Sequence, residues 1–307
     1  MTDLPRGALA ALVTPLDDAL EPEAETLIAH GRWLLAHGCG GLVLLATAGE
    51  ANSLSLGQRL RLIEAAARGG LPMARLIVGG GACALDEAVT ATKAIVAAGA
   101  AGVLVLPPFY YRDASEDGLF RFYAALIERV GEPRLRIVLH HRPQASGAAI
   151  TDALTERLKT AFGAIIAGVQ NGAGDWPTTK ALLERFPDLA IFSGTERFLL
   201  ETLRAGGRGC ISATLNLTAP LAGTIATAWQ SGEADMLQAR LSAIRQVFDG
   251  FSTPAVQKEM LVRLSGKPHW RNLLPPLLPL AAPQTAELIR RLDALPGWRD
   301  LAAAQAG

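Results

Sequence analysis

The sequence predicts an α/β protein, a (β/α)8 TIM barrel followed by a C-terminal helical extension. Three observations carry this prediction. A short pattern recurs: Ala36-His37-Gly38-Cys39-Gly40-Gly41-Leu42-Val43-Leu44-Leu45 resembles Ala97-Ala98-Gly99-Ala100-Ala101-Gly102-Val103-Leu104-Val105-Leu106, and Arg204-Ala205-Gly206-Gly207-Arg208-Gly209-Cys210-Ile211-Ser212 is a third copy. Each copy reads as a helix stopped by a left-handed glycine, with a buried strand immediately after it. Short apolar runs also alternate with helical stretches, as parallel sheets require. Beyond about residue 215 the strand signals cease.

The elements follow in order. Strands are expected near residues 7–13, 75–79, 135–140, 164–170 and 190–193, and the three repeats supply the others, making eight. Intervening segments read as helices. In residues 84–99, Leu85, Ala88, Val89, Ile95 and Val96 share a face, and Asp86 with Glu87 suits the helix start. Residues 217–264 and 284–304 read as further helices, separated by Leu274-Pro275-Pro276-Leu277-Leu278-Pro279. The expected division is therefore residues 1–215 for the barrel and 216–307 for an extension packed on it.

Bulk properties narrow the function. Half of the 307 residues are hydrophobic, enough for a large core. One domain of roughly 200–250 residues is ordinary for an α/β barrel. Formal net charge is zero with the signs interspersed, which argues against nucleic acid or an anionic membrane as a partner. No apolar run reaches the roughly 18 residues of a membrane span, and Met1-Thr2-Asp3-Leu4-Pro5 begins no signal peptide. Cys39, Cys83 and Cys210 show neither metal spacing nor a disulfide framework and are expected as small buried residues. A cytoplasmic location follows as the default.

Barrel chemistry sits at the carboxyl ends of strands. Strand two ends in Ala46-Thr47-Ala48-Gly49-Glu50, strand four in Pro107-Pro108-Phe109-Tyr110-Tyr111, and strand five in Leu139-His140-His141-Arg142-Pro143. Strand six ends in Gln170-Asn171, strand seven in Ser193-Gly194-Thr195-Glu196, and strand eight in Ile211-Ser212-Ala213-Thr214-Leu215-Asn216. Alternation along strand five lets only one of His140 and His141 face the mouth. Glu50 and Glu196 could join a histidine around a metal by topology only, so neither a metal nor a cofactor is expected. Gly79-Gly80-Gly81 could cradle a phosphate, but room for a tight loop is the default reading.

Taken together, these pieces resemble the dihydrodipicolinate synthase / N-acetylneuraminate lyase family over nearly the whole chain. They include the opening from Gly7 to Pro15, the Thr-x-Gly-Glu loop, the Pro-x-Tyr-Tyr loop, the Ser146-Gly147 turn and the Ile-Ser-x-Thr-x-Asn strand end. The resemblance implies a lysine at the end of strand six that forms an imine with a 2-oxo acid. It also implies a proton-transferring tyrosine at the end of strand five, a hydroxyl relay, and a carboxylate-holding loop after strand two. Thr47 matches the relay hydroxyl, Gly49 and Glu50 match the rest of that loop, and Tyr110 matches a tyrosine lent to a neighbouring subunit. Ala48 stands in place of a second threonine, His140 in place of the tyrosine, Ala145 in place of a substrate-binding arginine, and Gln170 in place of the lysine.

An amide cannot form an imine. The five lysines, Lys93, Lys159, Lys180, Lys258 and Lys267, fall in predicted helices or the late C-terminal loop, none at a strand end. Ordinary class I aldolase chemistry is therefore expected to be absent. The catalytic candidates are His140, Thr47 and Tyr110. The substrate-binding candidates are Gln170, Ala48, Gly49, Glu50, Asn171 and Ser212. Arg142 could restore a lost cation, but a surface arginine is the expectation. Two readings lead, a lyase acting without an imine on a small oxo acid or sugar acid and a non-catalytic binder of such a metabolite, with a purely structural oligomer partner as a third. The resemblance also implies self-association as a homotetramer or dimer.

Overall fold

A computed structural model describes residues 4–298. Eight parallel strands close into a barrel in sequence order, with β8 pairing back onto β1. They are β1 (Gly7–Ala11), β2 (Gly41–Leu44), β3 (Leu76–Gly79), β4 (Gly102–Val105), β5 (Ile137–His141), β6 (Ile166–Asn171), β7 (Ala190–Ser193) and β8 (Gly209–Ser212). Apart from the half-buried His141, every residue of these strands is buried. Their apolar runs without polar alternation follow from burial on both faces, by the barrel interior and by the helices outside.

The ring of helices comprises α1 (Ala24–Ala36), α2 (Leu56–Arg68), α3 (Leu85–Ala97), α4 (Glu116–Val130), the single turn α5 (Pro143–Ser146), α6 (Asp152–Phe162), α7 (Trp176–Arg185), α8 (Leu199–Arg204) and α9 (Leu215–Thr227). Their starts are written locally. Ser55 and Gln58 form a capping box on α2, and Ser115, Thr151 and Asp175 cap α4, α6 and α7. Helix α9 packs on β1 and touches α8, so the division expected after residue 215 falls inside a helix of the ring.

The extension contains α10 (Ala234–Phe248), α11 (Ala255–Ser265) and α12 (Ala282–Asp293). Helix α10 packs on α8, α9 and the turn Glu196–Phe198 that follows β7. That docking brings its C-terminal end to the barrel mouth. The helix expected over 284–304 stops at Asp293, because Pro296 and Gly297 (φ 71°) follow it; residues 299–304 of that expectation lie outside the described residues.

One small expectation is corrected and one default reading holds. Cys83 is exposed, whereas Cys39 and Cys210 are buried. The Gly79-Gly80-Gly81 run is held by close packing: a Cβ on Gly79 would lie 1.8 Å from the Leu45 carbonyl oxygen, and one on Gly81 2.9 Å from Leu106 backbone atoms.

Candidate active site

The mouth of the barrel holds a cavity of about 410 Å³. Thr47, Ala48, His140, Gln170 and Ser212 all line it. His140 and Gln170 are register partners on β5 and β6, so the strand ladder itself sets them side by side. Gln170 Nε2 donates to the Ile211 carbonyl at 3.4 Å, and Oε1 is buried without a donor. A carbonyl can only meet the NH2 end, which fixes the amide's orientation. Ser212 Oγ donates to Glu196 Oε2, and the other Glu196 oxygen is buried without a partner.

His140 is 5 % exposed, and a Cβ on Gly172 would lie 3.0 Å from its Nε2. Burial, helped by the Arg142 and His141 charges, pulls its pKa down to about 3. The ring is thus neutral at pH 7. His141 faces the other way, as alternation requires, and its Nδ1 accepts from the Ile150 amide at 3.1 Å.

Several candidates lie elsewhere. Asn171, expected among the substrate contacts, turns outward: its Nδ2 donates to the Asp175 carbonyl and to Thr179 Oγ1, both at 3.0 Å. It is one residue past Gln170, so the pleat gives it the opposite face. Glu50, also expected at the substrate, is 3 % exposed and fully engaged elsewhere. Lys258 Nζ, with no side-chain exposure, donates to Glu50 Oε1 at 2.5 Å and to the Asn272 carbonyl at 2.7 Å. The Leu274 amide donates to Glu50 Oε2 at 2.7 Å. This buried cluster ties the loop after β2 to the extension. Burial lowers the Lys258 pKa and the Glu50 carboxylate opposes that shift.

Gly49 also serves the loop and not the cavity. Its carbonyl accepts from Thr14 Oγ1 at 2.8 Å, and a Cβ there would sit 2.9 Å from the Leu12 carbonyl oxygen. Tyr110 is 76 % exposed and does not line its own chain's cavity. Asn216, from the strand-eight signature, closes the barrel by donating to the Ala11 carbonyl at 2.8 Å.

Arginines contribute more to the cavity than the sequence suggested, and Arg197 and Arg245 were not among its candidates. Arg142, expected at the surface, lines the cavity with Arg197 and Arg245. Burial and the nearby Arg245 cation lower its pKa, yet an arginine stays charged at neutral pH. Arg197 and Arg245 share one carboxylate, Asp249, with Arg245 Nη2 3.2 Å from it. Arg245 Nη1 also donates to Thr214 Oγ1 at 2.8 Å. Arg142 has no ion pair among the described residues, so three guanidinium groups face one carboxylate. A carboxylate or phosphate ligand suits such a wall. Among the described residues, no three His, Cys, Asp or Glu side chains converge as a metal site. None of the five lysines lines the cavity, and no helix among the described residues is long and apolar enough to cross a membrane.

Comparison with known proteins agrees with this architecture. A DapA-like lyase of Chloroflexus aurantiacus, itself uncharacterized, is 33 % identical over 288 residues, covering 92 % of this chain and 95 % of that protein. The 4-hydroxy-tetrahydrodipicolinate synthase of Acidiphilium cryptum is 32 % identical over 289 residues, covering 92 % and 95 %. The crystal structure of dihydrodipicolinate synthase from Agrobacterium tumefaciens superposes with a TM-score of 0.87 at 28 % identity, covering 94 % of this chain and 99 % of that one. The family model of the dihydrodipicolinate synthetase family matches residues 4–295, and the chain belongs to that family.

Proposed function

We propose that this protein binds a small oxo acid or sugar acid in the barrel mouth and acts on it as a lyase, breaking a carbon–carbon or carbon–oxygen bond without an imine. The observation that carries this reading is the pairing of Gln170 with an arginine-lined cavity that no lysine reaches. Without an iminium, the charge that develops on the substrate must be stabilised by hydrogen bonds and fixed cations, and Arg142 is the cation with no competing carboxylate.

His140 and Thr47 are the proton-handling groups on the cavity wall. Tyr110 joins them in this reading only from a neighbouring subunit. A neutral imidazole with a pKa of about 3 is a weak base. An anion bound at Arg142 offsets the arginine's charge and relieves that part of the depression, while burial, its main cause, remains.

The same low basicity favours a second reading, a non-catalytic binder that retains the pocket. One pair of measurements separates the readings. Pyruvate with borohydride should leave the protein mass unchanged; an adduct on any lysine would refute the imine-free mechanism. A thermal-shift screen of oxo acids and sugar acids should find a ligand, and any turnover of it should fall at least tenfold in His140→Ala. Binding without turnover of any hit would favour the non-catalytic reading.

A further inference from the structure

A second cavity, of about 170 Å³, lies between α1 of the ring and the extension, where α11 and the turn Pro268–Arg271 face it. None of the residues lining it lines the mouth. Trp33, Leu261, Leu264 and Trp270 give it apolar walls. Trp33 stacks on His37 with ring centroids 4.2 Å apart, and the buried Trp270 meets His30 edge-on at 5.3 Å. Just beyond Trp270, Asn272 Nδ2 donates to the Leu16 and Asp17 carbonyls at 3.1 and 3.0 Å, which ties that wall to the barrel. The cavity is thus pre-formed, as small-molecule sites usually are.

Its polar side is set by His30, which also lines it. The Asn216 amide is fixed in orientation, because Nδ2 donates to the Ala11 and Ala213 carbonyls at 2.8 and 2.7 Å. Asn216 Oδ1 therefore faces His30 Nε2 at 3.0 Å, and Nε2 must carry the proton. Burial holds the ring neutral, with a pKa of about 4, so Nδ1 is a bare lone pair. Nδ1 makes no hydrogen bond among the described residues and, unlike Gln170 Oε1, is not sealed from solvent. Thr26 and Ser265 also line the cavity, but their hydroxyl protons go to Glu23 at 3.2 Å and to the Leu261 carbonyl at 2.6 Å. The inner wall thus asks for a donor, and the nearest cation, Lys267, is exposed at the rim.

We infer that this cavity binds a small monocyclic phenol, with its ring against Trp33 and Trp270 and its hydroxyl donating to His30 Nδ1. Size supports a single ring, since an apolar cavity of about 150 Å³ accepts benzene. The walls supply aromatic contact, and one convergent polar atom supplies orientation. A phenol keeps its proton at neutral pH and so meets the acceptor as a donor. A ring without the hydroxyl gains the packing and forgoes the hydrogen bond. The site is separate from the mouth and does not depend on what the mouth does.

Calorimetry with phenol, fluorobenzene and benzoate tests this. Phenol is expected to bind saturably and at least fivefold more tightly than fluorobenzene, which matches its shape and lacks the donor. Ala29 is an exposed lining residue of α1, so Ala29→Phe should fill the cavity, abolish phenol binding and leave the melting temperature unchanged. His30→Phe keeps a ring and removes the acceptor, so its preference for phenol over fluorobenzene should vanish. Absence of saturable phenol binding at millimolar concentration overturns the inference, as does parent-like binding in Ala29→Phe or a retained preference in His30→Phe. Tighter binding of benzoate, lost in Lys267→Gln, would make the ligand an aromatic acid and overturn the assigned class. Phenol bound only by Tyr110→Glu/Tyr111→Glu would mean that a neighbour's tyrosine fills the cavity, and the free ligand is then wrong.

Discussion

At the scale of single residues, two buried charges and two buried imidazoles separate what holds the site from what works in it. Glu50 and Lys258 are an ion pair with no side-chain exposure, and each has a further hydrogen bond to backbone. Removing one partner strands the other's charge in the interior, which typically costs about 3–5 kcal/mol. Lys258→Met is therefore expected to lower the urea midpoint sharply, and Glu50→Gln/Lys258→Met together should lose less than Lys258→Met alone. Equal losses in the two would show that the charge left behind is not the cause. His140, with a pKa of about 3, and His30, held by burial at about 4, are both depressed below the ordinary histidine value of 6.5. The unfolded chain then binds more protons than the folded one between roughly pH 6.5 and 3. The stability these two neutral rings contribute is complete above that window and is lost as pH falls through it. Urea melts at pH 7 and pH 4.5 should show a large loss for the parent and a smaller one for His140→Gln. The same loss in both would mean that His140 is already protonated in the folded state.

At the scale of elements, the strand ends were legible and the surfaces that reach over them were not. Apolar runs bounded by glycine mark buried strands, and a period of two means that only one residue of a neighbouring pair faces in. The family resemblance chose His140 over His141, and the ladder sets it beside Gln170; the period then turns Asn171 away, although Asn171 was still expected at the substrate. The loop after β2 shows the limit more clearly. Thr47 and Ala48 line the cavity while Gly49 and Glu50, adjacent in sequence, hold the loop. No period exists in a 3-10 turn that would tell these roles apart. Arg142 lies one residue beyond β5, where the strand's alternation no longer applies. Arg245 reaches the mouth only because α10 docks on α8 and α9, a long-range fact. The loop's shape depends in turn on a neighbouring strand end. Leu45 has φ 56° and Glu50 φ 55°, conformations uncommon for side-chain-bearing residues. The Leu45 carbonyl sits where a Cβ on Gly79 would be, 1.8 Å away. Gly79→Ala should therefore displace the loop or prevent folding, with a loss beyond about 4 kcal/mol. A soluble Gly79→Ala protein with an unchanged melting temperature would mean that the contact relaxes freely.

At the scale of the whole molecule, the barrel supplies a mouth, the extension supplies part of its charge, and the remaining question is what meets the loop after β4. Tyr110 and Tyr111 are 76 % and 72 % exposed and pack edge to face with ring centroids 5.2 Å apart. Two adjacent aromatic rings on one tip leave considerable apolar area in water, and each buried aromatic is worth a few kcal/mol at an interface. The family resemblance implies a homotetramer or dimer in which Tyr110 enters a neighbour's site, and we carry that arrangement forward as a proposal. It makes a joint demand on assembly and function. Tyr110→Glu/Tyr111→Glu places two charges where the aromatic surface would be buried, so sedimentation should show a smaller assembly than the parent forms. The melting temperature of the isolated fold should change little, because neither ring packs into the barrel core. Tyr110→Phe provides the finer cut. It keeps the ring and loses the hydroxyl, so assembly should persist while turnover of any substrate found for the site falls. Full activity in Tyr110→Phe would confine Tyr110 to packing and leave proton handling to His140 and Thr47. An unchanged mass in the double glutamate variant would remove the tyrosine tip from the interface altogether.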